Sequence, residues 1–199
     1  MPLGANKSAI IGMGGVSAGD VVLIDTYTAG GEASKAYTGF SSDYKQLVWQ
    51  FVNLHGSADN TNWSFQVKTS GGSYGISTIS QAMRCMNTQD GSSQSVDYWS
   101  DADVLESTGQ VPLYYDSNFD DAEFAVSGQL TLYNPTSSTY YKNWITRGVG
   151  NLQGSGDALM GAFISGYVLT ATALDGIEFK FDSATANIDT GKILYWGIK

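Results

Sequence analysis

Cysteine and histidine are almost absent, with one of each in 199 residues. A single cysteine excludes an internal disulfide, and one Cys with one His cannot supply a zinc set. Cys85 stands among Ala82, Met83 and Met86, the neighbourhood of a packed, unreactive thiol. Any Ser-His-Asp arrangement would have to use His55. The pattern G-x-S-x-G is met by Gly15-Val16-Ser17-Ala18-Gly19, but a strand-like run follows it where a nucleophile elbow needs a helix. Of the run Gly12, Gly14, Gly15 and Gly19, the first two would put Ser17 at the third glycine position of a dinucleotide loop, and no Gly-Lys-Ser/Thr triplet offers a phosphate loop.

Charge is scarce too. Charged residues make up 15%, and 10 Lys+Arg face 19 Asp+Glu, for a net charge of −9. An acidic surface excludes a partner bound through its phosphates, so no nucleic acid is expected. No apolar run approaches the ~18 residues of a spanning helix, so no membrane is expected either. The patch Ala9-Ile10-Ile11 is diluted by Gly12, Gly14 and Gly15, unlike the core of a secretory leader, and none is expected. Aromatic residues reach 13%, too many for a disordered chain. The length suits one domain that buries ~70% of its unfolded surface.

What is present is alternation. Trp63, Phe65 and Val67 alternate with polar residues over 62–69, as do Val126, Gly128, Leu130 and Leu132 over 126–133, and Ile177, Phe179 and Phe181 over 176–182. Period two marks half-buried strands. Over 45–54, Leu47, Trp49 and Phe51 load one face and Val48, Val52 and Leu54 the other, the mark of a central or doubly covered strand. Residues 21–27, 111–115, 140–145, 162–172 and 192–198 also read as strands from their β-branched and aromatic content. Gly30-Gly31, 57–60, 70–73, 89–91, Asn134-Pro135 and Asp182-Ser183 supply turns. A short helix is expected within 97–107, and the glycines of 148–156 predict a loop or tongue. The expected fold is all-β: a jelly-roll-like antiparallel β-sandwich in a single domain over 41–199, with 1–40 as an N-terminal segment forming an arm or a first strand.

Three chemistries compete on this scaffold. Asp97, Asp101, Asp103, Asp116, Asp120, Asp121 and Glu123 are candidate carboxylates for glycoside hydrolysis, which needs two carboxyls ~5–10 Å apart across a cleft. Asp116, Asn118 and Asp120 alternate like the start of a calcium loop, but Asp121 replaces its turn glycine and Ser127 its closing glutamate. A solvated acidic loop is the plainer reading. Trp49 and Trp63 belong to apolar faces, whereas Tyr98, Trp99, Tyr140, Tyr141 and Trp144 sit among polar neighbours and are expected at exposed contacts, with a subunit interface favoured over a sugar. No catalytic residue, cofactor or metal is assigned.

A family resemblance follows from particular runs. These are Ser42, Tyr44, Leu47, Trp49, Phe51 and Asn53 before a polar turn, then Phe65 ahead of Gly71-Gly72-Ser73-Tyr74. Near the end come Gly176-Ile177-Glu178-Phe179, Thr185-Ala186-Asn187-Ile188 and the closing Gly191-Lys192-Ile193-Leu194-Tyr195 with Gly197-Ile198-Lys199. This resembles a family of virion structural proteins of tailed bacteriophages, common in marine and cyanobacterial phages; here Trp196 stands between the Tyr and Gly of the closing motif. The resemblance spans 42–199. It implies a non-enzymatic particle component, located in the virion, that self-associates and docks on other virion proteins of the capsid or tail. The alternative is a carbohydrate- or receptor-binding sandwich, with a surface glycan as partner.

Overall fold

The computed structural model describes residues 19–117, 119, 123–152 and 158–199, and these form twelve strands. They are β1 (Val21–Thr28), β2 (Lys35–Thr38), β3 (Gln46–Gly56), β4 (Thr61–Thr69), β5 (Thr78–Thr88), β6 (Gln94–Tyr98), β7 (Val111–Ser117), β8 (Val126–Tyr133), β9 (Lys142–Leu152), β10 (Ala158–Val168), β11 (Leu174–Phe181) and β12 (Ile188–Ile198). Every pairing is antiparallel. A large sheet runs β1-β12-β3-β8-β9-β10-β5-β6, and a small one runs β2-β11-β4-β7. Ser117 and Leu152 bridge the two.

The connectivity shows a jelly roll. Without the pairs β5–β6 and β9–β10, the sheets read β1-β12-β3-β8 and β2-β11-β4-β7. The first strand then lies beside the last and the second beside the last but one, as in a folded-over double Greek key. The extra strands widen one sheet beyond the eight-stranded body. Both β1 and β2, within the expected N-terminal segment, are hydrogen-bonded into this fold through β12 and β11.

Alternation builds the core. Trp63, Phe65 and Val67 of β4 and Ile177, Phe179 and Phe181 of β11 are buried together against Leu47, Trp49 and Phe51 of β3. Trp49 stacks on Tyr195 at 5.0 Å and 3°, and Trp63 on Phe179 at 5.8 Å and 12°. Such a core fixes β12 between β1 and β3, so the end of the chain is an interior strand.

Four expectations are corrected. Strand β3 is not apolar on two faces throughout. Asn53 takes φ 50° and the register slips between Phe51 and Leu54, so a bulge turns Leu54 inward to full burial. Across the pair, Gly191 at φ 107° accepts this bulge, where a Cβ would stand 2.4 Å from the Asn53 carbonyl. Second, Gly148 and Gly150 lie inside β9 rather than in a tongue. The Tyr114 ring of the small sheet lies against both, 3.3 Å and 3.1 Å from where their Cβ atoms would be, so the glycines mark close approach of another layer. Residues 153–157 of that run lie outside the described residues. Third, the stretch 97–107 holds the end of β6 and a single 3-10 turn, Ser100–Ala102, with no α-helix. Fourth, Cys85 is exposed: β5 buries Ala82 on one parity, and Cys85 falls on the other beside Met83.

Candidate interaction face

The inner face of the large sheet is occupied by the core; no described residue packs over its outer face. Register carries outward positions in straight rows across the strands. One row passes through Gln50, Gln129, Arg147, Phe163, Met83 and Tyr98 on β3, β8, β9, β10, β5 and β6. The next passes through Ser127, Val149, Gly161, Cys85 and Val96. Side chains standing two residues apart on each strand therefore make a continuous surface.

That surface is apolar and nearly uncharged. Phe163 is 47% exposed, Met83 51%, Tyr98 65% and Val96 72%. Ile145, Val149 and Leu159 are exposed on the same parity. Along the outward positions of β8, β9, β10, β5 and β6 stand amides, hydroxyls, aliphatics and aromatics, with Arg147 as the charge and no Asp or Glu. Among the described residues, no carboxylate stands at an outward position of these five strands. A contiguous apolar surface of this kind is uncommon on a protein that works alone.

Shallow depressions score the face. One of about 580 Å³ is lined by Gln50, Val52, Gln129, Arg147, Val149 and Phe163 among others. Another of about 580 Å³ is lined by Gln81, Tyr98, Asn143, Ser165, Gly166 and Tyr167. Gly166 is needed there, because a Cβ would stand 2.7 Å from the Trp144 ring. Tyr167 stacks on Tyr141 at 5.8 Å and 9° beside this second depression.

The structure sorts the aromatic candidates. Tyr98, Tyr140 and Tyr141 are exposed as expected, whereas Trp99 and Trp144 are buried, a correction. Trp144 falls on the inward parity of β9 and meets Phe65 edge-on at 5.2 Å. Trp99 packs edge-on to Tyr115 at 5.3 Å, with the Arg84 guanidinium 5.2 Å from its ring centre. Polar sequence neighbours mislead here, because in a strand they belong to the opposite face.

The acidic candidates do not assemble into a cleft among the described residues. Asp97 accepts from Ser95 Oγ at 2.7 Å and from Arg84 Nε at 3.4 Å. The Ser95 hydrogen bond, followed by the Arg84 contacts, holds its carboxyl below the usual range. Asp103 accepts from the Ala82 amide at 2.9 Å and from the Tyr98 hydroxyl. Both carboxylates therefore pin β6 and its 3-10 turn to β5. Asp101 and Glu123 are exposed. Asn118, Asp120 and Asp121 lie outside the described residues, so the calcium pattern beginning at Asp116 has no geometry to report. Among the described residues no three His, Cys, Asp or Glu side chains gather as a metal set. His55 packs 4.8 Å from the Phe119 ring, with Nδ1 3.8 Å from Asp189.

Fold and face together define a class: an antiparallel jelly-roll sandwich whose widened sheet presents a broad neutral surface. Comparison with protein-family models, with curated proteins and with solved structures finds no match.

Proposed function

We propose that this chain is a non-enzymatic structural protein of a bacteriophage particle. It self-associates and docks on the capsid or tail as a decoration or tail/fibre accessory. The observation that carries the reading is the outer face of the large sheet, where Phe163, Met83, Val96 and Tyr98 stand exposed and carboxylates are excluded. Burying such a face against protein removes apolar area from water without stranding a carboxylate, and leaves Arg147 as the one charge to be met by a partner. The remaining acidic surface disfavours contact with packaged DNA and suits an outward position. The resemblance of 42–199 to virion proteins supplies the biological setting. Light scattering on a sizing column should give a closed oligomer at micromolar protein, and peptide mass spectrometry of purified particles should find the chain among their components. A monomer missing from the particles overturns the proposal.

A second reading rests on one feature, the depression lined by Gln81, Tyr98, Asn143 and Tyr167. Stacked tyrosines beside amides suit a neutral saccharide, whose ring faces are apolar and whose hydroxyls pair with amides. On this reading a glycan array shows binding that Tyr167→Ala abolishes. An array with no signal removes it.

A further inference from the structure

The outer face of the widened sheet is complementary to itself. Four neighbouring strands stand in the order β9-β10-β5-β6, and one row across them reads Arg147, Phe163, Met83, Tyr98. Turning a second copy by half a turn about an axis parallel to the strands, between β10 and β5, lays this row on itself reversed. Arg147 then meets Tyr98, and Phe163 meets Met83, twice each. The first is a cation over a phenol ring and the second a thioether against an aromatic ring, both favourable pairings. The next row gives Val149 on Val96 and Gly161 on Cys85; the one beyond, Asn151 on Gln94 and Leu159 on Asn87.

Charge points the same way. Arg147 forms no ion pair among the described residues, so its guanidinium is available to a facing ring. Tyr98, which it would meet, donates its hydroxyl to Asp103, so the facing copy brings a carboxylate behind the ring. Size agrees too. Three strands up to ~34 Å long and the shorter β6 of ~17 Å, spaced ~4.8 Å, span on the order of 570 Å² before side-chain relief, against ~800 Å² per partner in a standard interface. Face-to-face sheets keep their strands within ~30° of each other, so the match is closest at the axis.

We infer that two copies of this chain pack face to face through β9, β10, β5 and β6 about a two-fold axis between β10 and β5. The inference rests on the assembly reading above and gives it a symmetry: the number of copies is even. Cys85, the lone thiol, is exposed on one chain and lies inside the pair, so it reports on the contact without mutation. Three measurements test this: mass by light scattering, the rate of Cys85 alkylation by maleimide, and both repeated on Phe163→Glu. Expected are an even-numbered oligomer for the natural chain, Cys85 alkylated at least ~10-fold more slowly than in Phe163→Glu, and half the mass for that variant with its circular dichroism unchanged. Arg147→Glu should likewise lower the mass, and Arg147→Glu combined with Tyr98→Arg should restore it. Should Phe163→Glu misfold, this charge-swapped pair carries the test alone. A trimer or pentamer, or an oligomer whose Cys85 reacts freely, overturns the face-to-face pair and leaves the assembly reading standing. A monomer overturns the pair, and a monomer missing from purified particles overturns both.

Discussion

The two faces of the large sheet are built from the same strands and differ in what they ask of their residues. Inward, β10 offers Ala158, Met160, Ala162 and Ile164, all buried, and β9 offers Trp144, Thr146 and two glycines cut to the shape of Tyr114. Outward, the same strands carry Leu159, Phe163, Ile145 and Val149, comparably apolar but exposed. Hydrophobicity alone does not tell the faces apart. Volume does, since the inner face is fitted to a neighbour already present and the outer face to one that is not. Substitutions inside should therefore change melting and leave association to follow, whereas substitutions outside should change association and leave the fold intact.

The largest effect should come from removing residues 194–199. This takes the C-terminal half of β12 from between β1 and β3 and strips Tyr195 from Trp49. We expect an insoluble chain or one with no cooperative melt, and a soluble truncation that melts sharply would refute the role given to β12. Trp49→Ala is the point-mutation version. Its ring is fully buried and touches Tyr37, Phe40, Phe179 and Tyr195, so a loss of about 3–5 kcal/mol in denaturant melts is expected. Phe163→Ser, by contrast, should cost no more than about 0.5 kcal/mol in the isolated chain.

Lys142 adds an intermediate case. It is wholly buried at the start of β9, and its ammonium donates to the carbonyls of Tyr140 at 2.9 Å, Thr170 at 3.1 Å and Ala171 at 2.8 Å. Lys142→Met leaves three carbonyls short of a donor and should cost about 1–3 kcal/mol in the same melts. A neutral outcome would mean that water replaces the ammonium without loss.

Much of this was legible in the sequence. The bounds of β8 follow from alternation alone, and those of β4 and β11 fall within two residues of the pattern, because each is polar on one side; β1 falls within one residue of the run read from its β-branched and aromatic content. The jelly roll needs only the count and spacing of such strands. What escaped was the four-residue β2 and the pair β5 and β6, whose outward positions mix Gln81, Met83, Cys85 and Asn87 with Val96 and Tyr98. A face meant for a partner is neither cleanly polar nor cleanly apolar, so period two fades where an interface lies. The face was invisible for the same reason: two of its strands had not been recognised, and its rows exist only once register is known. The fate of Trp144 was hidden likewise, since parity, not neighbours, decides burial in a strand, and that of Trp99 because it lies just past β6, packed on Tyr115 and Arg84.

The finest test of the inner face is Tyr37. Its ring packs among Trp49, Phe179 and Tyr195, and its buried hydroxyl has no hydrogen-bond partner among the described residues. Burial is the main cause that pushes both Tyr37 and Tyr195 far above the ordinary tyrosine value of 10.0. The unfolded chain then releases these protons near pH 10, while the folded chain holds them. Stability that is full below that pH is lost as pH rises beyond it. Tyr37→Phe removes a buried group that water had satisfied and the fold does not, so it should gain about 1 kcal/mol at neutral pH. It should also shift alkaline unfolding upward by removing one of the protons concerned. A loss of stability at neutral pH would show that the hydroxyl is bonded after all, and would mean that the inner face is less dry than its packing implies.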